Sequence, residues 1–364
     1  MAEPAGTASR LAALGRPQAV AVALLLALAL AAAIWEATAL RGPAAAAVQP
    51  VAVERAKSNA DLQLYDAIVD RIGAGEGYYS AAAAELRAGN YPLKPFVAFR
   101  LPTLAVAAAW IGRPALQALQ YALFAAMVAA WWYRLEGQFA DKGRRISAAM
   151  LAAAGIAVAL SGKYLLLHEV WAGTLVALSL ALHRQDRWGW SVAAAALALA
   201  IRELALPYLL LMAAFALYRR NWRELAAWTA LVLLFAVAMA WHAGEVAKVV
   251  LPSDPPSPGW ATLAGWPGLL RTFHLAGPLR WLPMEIGAAA IVLALLGWAS
   301  WKSKTGLAAT LMYLGYGVAF MLFGRANNFY WGLMVTPAFL IGLAFLPQAL
   351  TDLAAAARRP APTS

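Results

Sequence analysis

The chain is predicted to be an all-α polytopic membrane protein, and three observations predict it. Of its 364 residues, 63% are hydrophobic and the mean hydropathy is +0.64, far beyond a soluble domain. Apolar runs of about 15 to 23 residues recur along most of the chain, close to what a helix needs to cross hydrocarbon. The formal net charge of +11 sits mostly in short loops between those runs, which is the positive-inside pattern. In a soluble protein that charge would suggest nucleic acid; here orientation accounts for much of it. A soluble protein with one anchor is excluded by the number of runs. The chain has no Cys, so a disulfide framework and a thiolate metal site are excluded.

Residues 1–17 are small and polar, with Arg10 and Arg16, and read as a cytoplasmic tail. Residues 18–40 form the first span. Its apolar core is longer than the 7 to 15 or so residues of a signal peptide, so it is read as a retained anchor.

Residues 41–98 form a long first outer loop. Within it, Ser58 to Tyr79 reads as an amphipathic helix closed by a Gly-rich turn. At about 100° per residue, Leu64, Tyr65, Ile68, Val69 and Ile72 share one stripe, with Asp66 and Asp70 opposite. Asp61 projects into the stripe, where a carboxylate is costly unless it has a partner or a task. Ser58-x-x-Asp61 also reads as a capping box with Ser58 as N-cap. A second short helix follows at Ser80–Ala88, then the interfacial stretch NYPLKPFVAFRLP.

The later spans fall at about 114–133, 146–161, 167–182, 188–201, 204–218, 225–241, 284–300, 306–323 and 331–347. With the first they make about ten transmembrane helices, and both termini fall in the cytoplasm. The run at 101–112 is the exception. If it crossed, every later basic loop would flip outside, so it is predicted to be a re-entrant or interfacial segment. A second long outer loop is placed at 242–283, rich in Pro, Gly and Trp. The whole chain, 1–364, is one transmembrane domain.

Charges at the outer helix ends run against the positive-inside tendency and so need another explanation. They include Arg100, Lys163, His168, Glu169, Arg202, Glu203, His242, Glu245 and Arg325. Arg202 and Glu203 can simply pair with each other, and Arg325 can snorkel to lipid phosphates. Arg and Lys at that depth suit a phosphate, and a nearby carboxylate suits a general base acting on a hydroxyl. No HExxH, clustered Asp motif or Walker motif is present, so neither a tight metal site nor ATP-driven transport is expected.

On these residues the chain resembles the GT-C glycosyltransferases, polytopic enzymes that use polyprenyl-phosphate-linked sugars. Asp61-x-x-x-Tyr65 in the first outer loop is similar to the D-x-x-x-Y of the aminoarabinose and protein-mannosyl transferase branches. Gly75-x-Gly77-Tyr78-Tyr79 is similar to a G-x-x-Y-Y of bacterial members, and Arg100-Leu101-Pro102 to the R-x-P that starts the next membrane segment. The resemblance covers roughly residues 18–220. It departs at Leu62, where many members carry a second acidic residue.

The resemblance implies an inverting transferase of the bacterial inner membrane and cell envelope, with its active site facing the periplasm. Asp61 would act as base. Tyr65, Arg100, His168, Glu169, Arg202, Glu203 and Arg325 are the substrate-binding candidates. The donor would be a polyprenyl-phosphate-linked sugar, the acceptor a lipid, glycan or protein, and no nucleic acid is involved. No cofactor is expected; a divalent metal, which some relatives bind, would have to draw on Asp61, His168 or Glu169. The rival readings are a transporter or flippase of a lipid-linked or acidic solute and a non-catalytic membrane scaffold.

Overall fold

The computed structural model describes residues 9–39, 51–139 and 141–360, and they contain helices but no strand. Residues 1–8 of the expected tail and 41–50 of the first outer loop lie outside the described residues. The helices are α1 (Arg16–Ala39), α2 (Val51–Gly73), α3 (Tyr78–Ala88), α4 (Thr103–Ile111), α5 (Arg113–Arg134), α6 (Lys142–Gly155), α7 (His168–Leu182) and α8 (Gly189–Ile201). After them come α9 (Leu206–Tyr218), α10 (Trp222–Val249), α11 (Gly265–Ala276), α12 (Met284–Ser300), α13 (Lys304–Leu322), α14 (Thr336–Phe339) and α15 (Gly342–Ala357).

Four of these, α1, α5, α10 and α13, are long and apolar enough to cross a membrane. Leu24, Leu25 and Leu28 of α1 and Leu233, Leu234 and Val237 of α10 are all more than half exposed. Such apolar surface is stable against lipid and not against water. Ten spans of full length are not present among the described residues. α7, α8, α9 and α12 have 13 to 17 residues, about 20 to 26 Å at 1.5 Å per residue against about 30 Å of hydrocarbon. The run expected at 331–347 is broken into a 3₁₀ stretch (Ala326–Met334), α14 and α15. Gly332 there lies against the Thr272 carbonyl, and Pro337 has no N–H to give to a continuous helix.

Three further expectations change. α2 already runs through Ser58, so Ser58 is not an N-cap; Glu54 to Lys57 are good helix formers and carry the helix past it. The stretch 242–283 is not one loop, because α10 continues to Val249 and α11 occupies Gly265–Ala276. The second short helix begins at Tyr78 rather than Ser80. α4 has nine residues, about 14 Å of helix, half a bilayer. Gly112, at φ 80°, caps α4 and starts α5 in a conformation that side chains with a Cβ avoid.

The long helices run between two ends. At one end, Ser9 N donates to Asp352 Oδ2 (2.6 Å), and the Arg359 guanidinium donates to the carbonyls of Ala12 and Leu14. The C-terminal ends of α5, α7 and α9 and the start of α13 lie at this same basic end. The starts of α5 and α7 and the ends of α8, α10 and α13 lie at the other. Between the ends sits a packed layer of aromatic rings. Trp131 and Trp298 are fully buried with centroids 5.5 Å apart, and Tyr313 and Phe339 pack at 5.1 Å. The two indole N–H groups donate to the carbonyls of Ala177 and Phe339, so burial leaves neither unsatisfied.

Small residues let the helices close on one another. A Cβ on Gly297 of α12 would collide with the Gly342 carbonyl, and one on Gly342 with the Ala294 carbonyl. This is the close approach that small residues permit in lipid.

Candidate functional site

The end opposite the basic one is hollowed by a cavity of about 640 Å³. It is built from separate stretches of chain: α2 and α3, residues 89–100, the start of α7, the α8–α9 junction, and the segment after α13. Its wall carries Asp61, Tyr65, Arg100, His168, Arg202, Glu203 and Arg325. Seven of the eight sequence-derived candidates are thus on one surface, and only Glu169 stands behind it.

α2 supplies the carboxylate. Its stripe packs inward through Ile68 and Val69, while Asp66 and Asp70 stay exposed and pair with Arg113 at 3.0 and 2.9 Å. Asp61 is half-buried on the cavity side, and the Tyr91 hydroxyl donates to its Oδ1 at 2.6 Å. That hydroxyl stays protonated, because burial, and then its hydrogen bond to Asp61, raise its pKa well above the usual tyrosine value.

One turn further along α2, Tyr65 faces the same space. Arg100 Nε donates to the Tyr65 hydroxyl (3.1 Å), and Arg100 Nη2 donates to that of Tyr330 (3.2 Å). Burial pushes the Tyr65 hydroxyl upward, and the Arg100 charge offsets part of that. The backbone at Arg100 is fixed by Tyr78, whose hydroxyl donates to the Arg100 carbonyl at 2.5 Å. The Gly75-x-Gly77-Tyr78-Tyr79 stretch therefore has two tasks. Gly75, at φ 97°, ends α2, and Gly77 is the N-cap of α3. The two tyrosines then brace the cavity, with the Tyr79 hydroxyl 3.0 Å from His242 Nδ1. Burial pushes the Tyr79 hydroxyl up to about 12.

Two cations in the wall, Arg100 and Arg325, take part in no ion pair among the described residues. Arg325 Nη2 donates to Ser257 Oγ at 3.2 Å, its guanidinium lies 5.9 Å from the Trp260 ring, and its Nε is buried without a hydrogen-bond partner. Arg202 differs. It is 1% exposed, its Nη1 donates to Glu203 Oε1 at 2.6 Å, and its Nε lies 2.8 Å from Glu169 Oε1. That second contact is Coulombic, since the N–H does not point at the carboxylate and both Glu169 oxygens lack hydrogen-bond partners. Arg202 is therefore neutralised on both sides, as the pairing reading of Arg202-Glu203 expected.

His168 is buried at the first turn of α7 with its ring edge-on to Tyr65, centroids 5.5 Å apart. Neither ring nitrogen makes a well-formed hydrogen bond. Among the described residues no three His, Cys, Asp or Glu side chains gather into a group that could hold a metal. Asp61, His168 and Glu169 in particular do not form such a set.

Sequence reasoning missed Tyr91, Tyr330, Ser257 and Trp260 as site residues. Tyr91 lies in the interfacial stretch NYPLKPFVAFRLP, but nothing local couples Tyr91 or Tyr330 to residues 30 and 230 positions away. Comparison of the chain with family models, with curated proteins and with solved structures finds no match.

Proposed function

We propose that this protein is an integral membrane glycosyltransferase of the GT-C type, moving a sugar from a polyprenyl-phosphate donor to a lipid, glycan or protein acceptor. The observation that carries this reading is the convergence on one cavity of an oriented carboxylate, Asp61, with two cations that form no ion pair among the described residues, Arg100 and Arg325.

The chemistry follows from those groups. An acceptor hydroxyl placed at Asp61 would give its proton to the carboxylate as its oxygen attacks the anomeric carbon. The bond from that carbon to the donor phosphate oxygen would break, and the leaving phosphate would remain with Arg100 and Arg325. Attack opposite the leaving group inverts the anomeric centre. Much of the remaining wall, including Leu64, Ile68, Val69, Leu104 and Phe320, is apolar and suits a polyprenyl chain.

The orientation we propose puts the cavity on the periplasmic side of a bacterial inner membrane. Arg134, Arg145, Arg184, Arg187, Arg219, Arg220, Lys302, Lys304 and Arg358 at the other end support reading it as cytoplasmic. A transporter is the rival reading. The packed layer of Trp131, Trp298, Tyr313 and Phe339 between the ends supports a one-sided site rather than a path through the bundle. The test is transfer from a panel of radiolabelled polyprenyl-phosphate sugars in membranes carrying the wild type or Asp61→Asn. The reading expects labelled product with the wild type alone; no product with any donor, from a folded protein, would end it.

A further inference from the structure

The basic end of the bundle carries a second cavity, of about 290 Å³, that the proposed transfer does not use. It is enclosed by the C-terminal ends of α5, α7 and α9 and by the first turn of α13. Four cations line it: Arg134, Arg184, Arg219 and Lys304. Two acids also line it, Glu136 and Asp186, and both are exposed at the rim. Glu136 is engaged by Arg145 at 3.4 Å. A third acid, Glu224, is buried behind the wall, where His183, Arg219, Asn221 and Trp228 all contact it. The lining is therefore net positive.

Arg184 and Lys304 are exposed, and Arg134 and Arg219 are held by hydrogen bonds. Lys304 Nζ donates to Gln185 Oε1 (2.9 Å), and neither Lys304 nor Arg184 forms an ion pair among the described residues. Arg134 donates to Thr305 Oγ1. Arg219 gives Nη2 to Glu224, yet its Nε is buried with no hydrogen-bond partner. α13 starts at this cavity with Ser303 as its N-cap, while the negative C-terminal ends of α5, α7 and α9 also face it, so the positive potential comes from the side chains. Cations converging from separate helices on a polar hollow suit a compact, multiply charged oxyanion, which Arg and Lys recognise by hydrogen bonds as well as charge.

We propose that this cavity binds a phosphate-bearing anion, supplied either as the headgroup of an anionic lipid or as a free phosphate compound. The site is independent of the transfer cavity and lies at the opposite end of the bundle.

The test uses the full chain in phosphatidylcholine nanodiscs. The variants are Arg184→Ala with Lys304→Ala, and as a control Lys302→Ala, an exposed neighbour outside the cavity. In one arm the thermal midpoint is read in inorganic phosphate against chloride at equal ionic strength. In the other, a minority of phosphatidylglycerol is added and its retention per chain is counted by native mass spectrometry. A phosphate-dependent rise in the wild type and Lys302→Ala that the double variant lacks supports the site with a free ligand. Retention of phosphatidylglycerol that falls about fivefold for each cavity cation removed supports the lipid source. If the double variant behaves like Lys302→Ala in both arms, the proposal is overturned. Arg184→Gln with Lys304→Gln, which keeps polar side chains, gives the same reading should truncation disturb the helix ends.

Discussion

At the residue scale the account rests on how Asp61 and Arg100 are held. Tyr91 is a positioning residue: its hydroxyl donates to Asp61 at 2.6 Å. Tyr91→Phe is expected to slow transfer about tenfold, the scale of one lost hydrogen bond to a charged group. Donor binding should stay unchanged, because the ring still fills its place; steady-state kinetics separates the two effects. Arg100 uses two different nitrogens for two tyrosine hydroxyls. A lysine has one nitrogen and cannot reproduce that fork. Arg100→Lys should therefore weaken donor binding, whereas Tyr330→Phe alone should weaken it less; equal affinities for all three proteins would remove Arg100 from the phosphate site.

At the scale of elements, two contacts set how the cavity is framed. The first joins α3 to the turn after α10. Arg87 Nε and Nη2 donate to the two carboxylate oxygens of Asp254 at 2.8 and 2.7 Å, and Asp254 also accepts from Leu251 N. The Arg87 guanidinium holds the Asp254 carboxyl down at about 2, against an ordinary 3.8. A folded-state pKa below the unfolded one contributes stability that is fully present above the unfolded value. That contribution is lost as pH falls through the folded value. The difference in thermal midpoint between wild type and Asp254→Asn should thus be constant above about pH 4 and shrink between pH 3.8 and 2. A difference that grows on acidification would contradict the clamp. The second contact is the approach of α12 to α15 at Gly297 and Gly342. Gly297→Leu has no room without moving a backbone and should cost about 1 to 3 kcal/mol or more, read as a lowered unfolding midpoint in detergent.

At the scale of the whole molecule, what could be read locally was read. The stripe on α2, the inward placement of Asp61 and the gathering of Arg100, His168, Arg202 and Arg325 follow from periodicity and from charges that orientation does not explain. What depends on contacts between distant segments was not legible. Tyr330 reaches Arg100 across 230 positions and Glu169 turns behind the wall to meet Arg202; no local pattern encodes either. Of the ten or so spans expected, four are long and apolar enough to cross by length and composition, because hydropathy registers apolar runs but not the 3₁₀ turns and prolines that cut some of them short, as at Pro337. The proposed orientation also has a direct check, made clean by the lack of native Cys. A cysteine replacing exposed Ala88 near the cavity should react with an impermeant maleimide in intact cells. One replacing exposed Asp186 should react only after permeabilisation; the reverse pattern would invert the topology.

The central claim is that Asp61 performs the proton transfer in a cavity that binds the donor without it. It is tested most directly by measuring labelled-donor binding and sugar transfer on the same preparation of purified Asp61→Asn. We predict donor binding within about twofold of wild type, with transfer slowed by about 10² to 10⁴, the range for loss of a general base. Transfer at the wild-type rate, or loss of donor binding together with transfer, would contradict that assignment.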